Sequence, residues 1–193
     1  HSDARVRSVV ALGERYHVDQ QQANHVKDTA QRLLEQAGDA LDMPADTAVL
    51  FLRWAGHLHE IGLDIAHADY HLHGAYVAAN ADLPGFPAGE QQLLSFLIAN
   101  QCKRVGEQSS GLRQLAHRDD ARLLAVILRL AVLLNRNRSS AELPEIGFEV
   151  EGRTLTLTFP DDWLLANPLT EADLDREQDY LSVWAYRLSI RRC

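Results

Sequence analysis

The sequence predicts a mostly α-helical protein that ends in a small α+β subdomain. Residues 1–141 carry apolar side chains at the three- and four-residue spacing of amphipathic helices. After Leu143-Pro144 the pattern changes, and apolar and polar side chains alternate on both sides of Gly152-Arg153, which is typical of a β-hairpin. We therefore expect a helical domain over 1–141 and an α+β subdomain over 142–193.

Six helices are predicted in the body. Asp3 (or Ser2) and Asp19 can cap the first two helices through their side-chain oxygens. The third helix is apolar nearly all round, so it should be the most buried, and Gly62 is well placed to end it. The predicted ranges are about 3–16, 19–36, 46–61, 71–81, 88–104 and 119–137.

The subdomain should contain two or three antiparallel strands and one helix. The hairpin pairs residues 148–151 with 154–159, and the alternation over 187–191 could add a third strand. Between them, Thr170 with Asp173 resembles a capping box that opens a helix to about residue 185.

Composition and charge limit the classes of function. The chain has 46% hydrophobic and 24% charged residues and a net charge of −8. Residues 101–140 hold eight Lys/Arg against three Asp/Glu, so this segment carries +5 and the remainder −13. An acidic protein with one basic segment can hold one anionic ligand, but duplex DNA needs broader phosphate neutralisation.

The chain has no feature of a secreted or membrane protein. Two cysteines cannot form a disulfide framework, and the longest apolar run, 121–134, is interrupted by two arginines and is too short to span a bilayer. We expect a cytoplasmic protein without integral membrane association. Because the chain starts at His1-Ser2 rather than at Met, we also expect it to be a piece of a longer protein.

A cluster of histidines is the main candidate for chemistry. The segment His57–Gly62 ends a helix with the doublet His59-Glu60 and is followed by His71-Leu72-His73. It resembles the doublet of the HD phosphohydrolases, which present a metal-binding His-Asp pair at a helix end. A working divalent site would need further ligands from other helices. The alternative is that His59 is a buried core histidine and Glu60 its exposed neighbour.

Five segments in order extend the resemblance to essentially the whole chain, from near Val6 to near Leu188. They are Trp54–Gly62, His71–Tyr76, Asn80–Phe86, Phe159–Leu164 and Pro168–Thr170. Together they resemble the C-terminal region of the exopolyphosphatase/guanosine pentaphosphate phosphatase family.

The resemblance implies that the parent is longer. Family members have two N-terminal actin-like lobes that hydrolyse terminal phosphates with Mg²⁺, followed by a helical domain similar to the HD phosphohydrolases. In the family that domain packs against the lobes, contributes to a homodimer and guides inorganic polyphosphate. We therefore expect this chain to need no cofactor and to have as partners polyphosphate, a second copy of itself and the lobes of its parent.

Carried over to this sequence, the HD-like ligand set is altered. The residues concerned are Gln22 (or His25, one turn later), His59, Glu60 and Asn135, with His71 and His73 nearby. An amide is a poorer divalent-metal ligand than a carboxylate, and Glu places its oxygens one methylene further out than Asp. We expect a vestigial site with no catalytic and no metal-binding residue.

The basic segment is the second candidate. Arg122, Arg129 and Arg136 are spaced by seven and therefore form one ridge along a helix. With Lys103 and Arg104 they could hold polyphosphate, because each guanidinium can bind two phosphate oxygens. The alternative is a solvated helix face whose arginines pair with acids of the C-terminal subdomain.

Three functions remain open from the sequence. The leading hypothesis is a noncatalytic accessory domain of an exopolyphosphatase that binds polyphosphate and promotes dimerisation. The second is an autonomous metal-dependent phosphohydrolase that acts on guanosine tetra- or pentaphosphate through His59, Glu60, His73 and Asn135. The third is a purely structural oligomerisation domain.

Overall fold

The computed structural model describes residues 3–106, 118–138 and 142–193. Within these ranges the chain is mostly helical with a three-stranded sheet near its C-terminus, which confirms the predicted fold class. The helices are α1 Ala4–Arg15, α2 Gln20–Ala37, α3 Ala45–Leu58, α4 Tyr70–Asn80, α5 Ala88–Ala99, α6 Arg118–Leu134, α7 Trp163–Ala166 and α8 Pro168–Ser182; the strands are β1 Gly147–Glu151, β2 Thr154–Phe159 and β3 Arg187–Arg192. The predicted boundary at 141 lies outside the described residues.

The first two helices begin as predicted. The Asp3 carboxylate accepts a hydrogen bond from the backbone N–H of Arg5 at 2.9 Å, and Asp19 accepts one from Gln22 at 3.1 Å. These side chains satisfy amide groups that have no partner inside the helix. The predicted capping box of α8 is wrong, because α8 begins at Pro168 and no side chain caps it.

The third helix ends earlier than predicted, at Leu58, and a 3-10 helix follows over Ile61–Asp64. Gly62 lies in this turn, against the start of α4. A Cβ atom at Gly62 would lie 1.8 Å from the carbonyl oxygen of Tyr70. The glycine therefore permits a close backbone approach that brings the His59-Glu60 doublet next to α4.

Helix α6 is the centre of the hydrophobic core. Fourteen of its 17 residues are buried, and it contacts α2, α3, α5 and α8. This burial on nearly all sides explains its apolar composition, since each fully buried Leu or Ile contributes roughly 1.5–3 kcal/mol. Helix α6, rather than α3 as predicted from the sequence, has the largest share of buried residues.

The sheet has the strand order β1-β2-β3, in which β1 and β2 are antiparallel but β2 and β3 are parallel. The predicted hairpin is confirmed, with a turn at Gly152 (φ +60°). The prediction that all strands are antiparallel is wrong for β3. Helices α7 and α8 lie between β2 and β3 and supply the crossover that a parallel pair requires.

The subdomain packs on the helical body along α6 and α2. Helix α8 contacts α6, the Trp184 ring stacks on Phe96 with centroids 5.9 Å apart, and the Gln36 side chain binds the backbone of Phe148 and Ile146. Helix α8 therefore becomes one wall of the cleft described below. None of the helices in the described ranges combines the length and the apolar character needed to cross a bilayer.

Candidate functional site

A cleft of about 860 Å³ lies between the 3-10 turn, the start of α4, the segment after α5, the end of α6 and helix α8. Most of the predicted site residues line it, namely Gln22, His59, Glu60, His71, Lys103, Arg104, Arg129 and Arg136. His73, Arg122 and Asn135 are not among its lining residues. The structure thus brings part of the histidine cluster and much of the basic segment to one place.

His59 is a buried histidine on the floor of this cleft. It is 1% exposed, and its Nδ1 lies 2.6 Å from the carbonyl oxygen of Gly56, to which a protonated Nδ1 donates. Its own carbonyl accepts a hydrogen bond from Gln101 Nε2 at 2.6 Å. Burial lowers the pKa of His59, so the imidazole is neutral at pH 7. The burial and contacts of His59 agree with the core-histidine alternative, but Glu60, which that alternative expected to be exposed, is only partly exposed.

Glu60 faces a guanidinium. Arg138, which follows α6, donates one hydrogen bond to Glu60 and another to Asp19, the latter at 3.2 Å. The Glu60 side chain is only 14% exposed, so this pairing neutralises a carboxylate that would otherwise repel anions from the cleft. Arg138 was absent from the predicted site, although the charge count along the basic segment includes it.

Gln22 and Asn135 use their side-chain amides to join helices. Gln22 Nε2 donates to the backbone oxygen of Asn135 at 2.9 Å, and Asn135 Nδ2 donates to Thr29 Oγ1 at 2.9 Å and to the Ala131 carbonyl at 2.8 Å. Both amides therefore fasten α2 to the end of α6.

The doublet and its neighbours do not form a complete ligand set for a divalent cation among the described residues. Glu60 is engaged by Arg138, and the Gly56 carbonyl engages Nδ1 of His59 but not its Nε2. Within residues 3–106, 118–138 and 142–193, no three or more His, Cys, Asp or Glu side chains lie close enough to share an ion.

Arg129 lies in the interior rather than on an exposed ridge. It is 2% exposed and donates to both carboxylate oxygens of Glu177, at 2.7 and 2.8 Å. It also donates to the backbone oxygens of Asn100 at 2.7 Å and Lys103 at 2.6 Å. Because it makes four hydrogen bonds to protein groups, its guanidinium has no pair of free N–H groups that could bind two phosphate oxygens. This environment does not favour its predicted role as a phosphate ligand.

The predicted row of arginines is not formed. The guanidinium of Arg122 lies 5.7 Å from the ring centroid of Trp184, outside the cleft, while exposed Arg136 pairs with Asp173 at 3.0 Å on the rim. Spacing by seven predicts a shared helix face but not its exposure, and α8 covers this face at Arg129. Arg129 and Arg136 both pair with acids of the subdomain, but buried Arg129 does not lie on the solvated face that the alternative expected.

The rim of the cleft is cationic. Five exposed side chains line it, namely Lys103, Arg104, Arg136, Arg138 and Arg176. Counting buried Arg129, the described lining holds six Lys/Arg against four Asp/Glu, in a chain with net charge −8. Arg104 and Arg176 form no ion pair with any residue that the structure describes.

The remaining polar groups of the floor are neutral. Burial lowers the pKa of His71 and raises the pKa values of Tyr70 and Cys102, so all three are uncharged at pH 7. The Tyr70 hydroxyl donates to Gln101 Oε1 at 3.3 Å. The rim and the buried Arg129–Glu177 pair therefore set the electrostatic potential of the cleft.

The sequence that forms this cleft matches the model of a known phosphatase domain. The family model described as Ppx/GppA phosphatase, domain III, matches residues 4–178. The chain therefore belongs to the Ppx/GppA phosphatase family and corresponds to its domain III.

Three similar relatives are all named guanosine-5'-triphosphate,3'-diphosphate pyrophosphatase. The protein of Vibrio vulnificus (strain YJ016) is 35% identical over 91% of this chain and 35% of its own length. The protein of Vibrio parahaemolyticus serotype O3:K6 (strain RIMD 2210633) is 34% identical over 100% of this chain and 38% of its own length. The protein of Vibrio atlanticus (strain LGP32) is 37% identical over 92% of this chain and 35% of its own length. The chain thus spans about a third of the length of these relatives.

Proposed function

We propose that this chain is a noncatalytic accessory domain of a Ppx/GppA-type phosphohydrolase and that it binds inorganic polyphosphate along the rim of its cleft. The observation that carries the proposal is the group of five exposed Lys and Arg side chains around one cleft of an acidic chain. Such a local excess of positive charge attracts a polyanion to one place and leaves the rest of the surface repulsive.

The chemistry of the rim suits a chain of phosphates. Polyphosphate carries negative charge on every unit, and a planar guanidinium can hold two oxygens of one unit. Because the rim cations are exposed, each contact is screened by salt, and affinity should fall steeply as ionic strength rises. Arg129 is excluded from this set, since its hydrogen bonds go to Glu177 and to backbone oxygens.

Hydrolysis belongs, in this proposal, to other parts of the parent. The resemblance implies Mg²⁺-dependent lobes that precede this domain, and the described residues of the cleft offer no carboxylate cluster for such an ion. We therefore expect the 193-residue chain to release no phosphate from polyphosphate or from guanosine pentaphosphate, with magnesium or manganese present. Phosphate release that His59→Ala abolishes would favour an autonomous hydrolase instead.

Titration with long-chain polyphosphate at two salt concentrations tests the binding proposal. We expect binding at low salt that weakens at about 200 mM salt and weakens about fivefold or more in Lys103→Ala or Arg104→Ala. Arg32→Ala is the matched control, because Arg32 lies on α2 outside the cleft. Absence of binding at low salt, or an equal loss in Arg32→Ala, would leave the proposal without support.

Guanosine pentaphosphate is the second candidate ligand of the parent. It is supported by the names of the three relatives, which refer to guanosine-5'-triphosphate,3'-diphosphate. Both ligands share the phosphate chemistry of the rim, but polyphosphate can contact more rim cations at once. Competition between them for the chain will rank the two, with polyphosphate expected to displace the nucleotide.

A homodimer is part of the same proposal. Large apolar side chains are unusually exposed in the C-terminal subdomain, with Leu165 at 67%, Leu169 at 81% and Val183 at 69%. Such side chains are candidates for an interface between copies. Sedimentation equilibrium should give twice the chain mass, and Leu169→Asp should shift the species to a monomer.

A further inference from the structure

The buried guanidinium of Arg129 holds the segment that carries two of the rim cations. Its Nη1 donates to the Asn100 carbonyl at 2.7 Å and its Nη2 to the Lys103 carbonyl at 2.6 Å. Lys103 and Arg104 belong to this segment and line the cleft. This segment forms one wall of the cleft, called the cationic wall. Arg129 therefore contacts the backbone of the cationic wall without being exposed itself.

The backbone of this wall needs such support. Lys103 has φ +57°, in the left-handed region, which is unfavourable for a residue with a Cβ atom and persists only where surrounding contacts fix it. Neighbouring bonds assist, because Gln101 Nε2 donates to the His59 carbonyl and Asn100 Oδ1 accepts from the Gly106 N–H at 2.9 Å. The carbonyl of Lys103 itself is held by Arg129.

The same guanidinium also holds the opposite wall. Its fork binds both oxygens of Glu177 on α8, and its Cζ lies 5.4 Å from the ring centroid of Tyr180 on that helix. Helix α8 presents Arg176 and Asp173 to the cleft. One buried side chain on α6 thus connects the wall of Lys103 and Arg104 to the wall of Arg176.

We infer that Arg129 and Glu177 form a positioning pair, which fixes the spacing of the cationic side chains on the two walls and thereby the affinity for a phosphate chain. The inference rests on the proposed function. A buried ion pair is often no more stabilising than apolar side chains of equal volume. Its advantage here is directional, because four hydrogen bonds specify where each wall lies.

The test uses the 193-residue chain with the apolar double substitution Arg129→Met/Glu177→Leu. It removes both charges together, so no unpaired ion is left in the interior. The affinity for long-chain polyphosphate is measured over a salt series for the unsubstituted chain, Lys103→Ala, the double variant, and a triple variant that combines the double substitution with Lys103→Ala. Arg32→Ala again serves as the control outside the cleft.

We expect the double variant to bind about tenfold more weakly, as when one or more charge-assisted hydrogen bonds to phosphate are no longer made. The slope of log affinity against log salt should shrink by roughly 0.7 for each phosphate that the rim no longer neutralises, as for single-stranded polyanions. Lys103→Ala should weaken the unsubstituted chain several-fold, yet change the double variant by less than about twofold, because sites that act together are non-additive.

The outcomes separate the two proposals. If the unsubstituted chain does not bind polyphosphate, the proposed function fails, and this inference fails with it. If it binds, but the double variant keeps both affinity and salt slope, or Lys103→Ala stays additive, only the positioning role is overturned. Should the double variant not fold, Glu177→Gln keeps the side-chain volume and one acceptor oxygen; unchanged binding in that variant would overturn the inference equally.

Discussion

Two arginine–glutamate pairs of the cleft lie in opposite surroundings. Arg129 and Glu177 form the buried floor pair, and Arg138 and Glu60 form the more exposed rim pair. Arg129 and Glu177 have side chains 1% and 5% exposed, whereas Arg138, which pairs with Glu60, is 45% exposed. Water and salt screen the rim pair but not the floor pair. The same two residue types therefore form a buried structural pair at the floor and a solvent-screened pair at the rim.

The largest effect should come from breaking the floor pair on one side. Glu177→Ala leaves the guanidinium of Arg129 buried without its carboxylate, so we expect a loss of about 3–5 kcal/mol in the free energy of unfolding. Urea denaturation measures it. The matched rim variant, Glu60→Ala, should lose no more than about 1 kcal/mol. Equal losses in the two variants would contradict the distinction between floor and rim.

Gly62→Ala tests how tightly the floor is built. The new Cβ would meet backbone atoms, the Tyr70 oxygen at 1.8 Å and the Gly74 nitrogen at 2.7 Å, so the 3-10 turn and α4 must separate. We expect a loss of about 3 kcal/mol in thermal or urea unfolding. Gly89→Ala is the control, since nothing lies within 4 Å of its Cβ position, and it should be neutral or slightly stabilising. A tolerated Gly62→Ala would mean that the floor is loosely packed.

Buried histidines should make the fold sensitive to acid. Burial, with Lys27 and His59 nearby, lowers the pKa of His57 to about 4. The unfolded chain, with a histidine pKa near 6.5, takes up the proton first, so stability is lost as pH falls from about 6.5 to about 4. The slope is about 1.4 kcal/mol per pH unit for each such histidine. His57→Gln should reduce the slope measured by urea unfolding between about pH 4.5 and pH 7; an unchanged slope would show that His57 is not protonated on unfolding.

The smallest effect on stability should come from substituting Arg138 at the rim. Arg138→Ala should change the free energy of unfolding by less than about 1 kcal/mol, and the difference should vanish in about 1 M salt. Unfolding titrations at low and high salt measure it. A loss that persists in high salt would place Arg138 among the structural residues of the floor.

Much of the fold could be predicted from local patterns. Periodicity predicts the helices and the hairpin, and Asp3 and Asp19 mark two helix starts. The direction of β3 could not be predicted this way, because alternation identifies a strand but not its partner. The crossover through α8 makes β3 parallel, and the start of that helix depends on Pro168 rather than on the Thr170 pattern.

For the site, the sequence indicates which segments form the cleft but not which of their side chains are buried. Spacing by seven places Arg129 on one face of α6, yet whether that face is open depends on where α8 packs. A usable signal is present on α8: Glu177 lies on the buried stripe with Leu174 and Leu181, so a buried cation is to be expected opposite it. Arg138 and Arg176 could be found only from their position at the rim.

A crystal structure of the 193-residue chain with a short polyphosphate would test the central claim most directly. We expect phosphate oxygens within hydrogen-bond distance of Lys103, Arg104 and one or more arginines of the rim, while Arg129 keeps both bonds to Glu177. Phosphate bound to the guanidinium of Arg129 with Glu177 displaced, or phosphate bound only on another surface, would contradict the account.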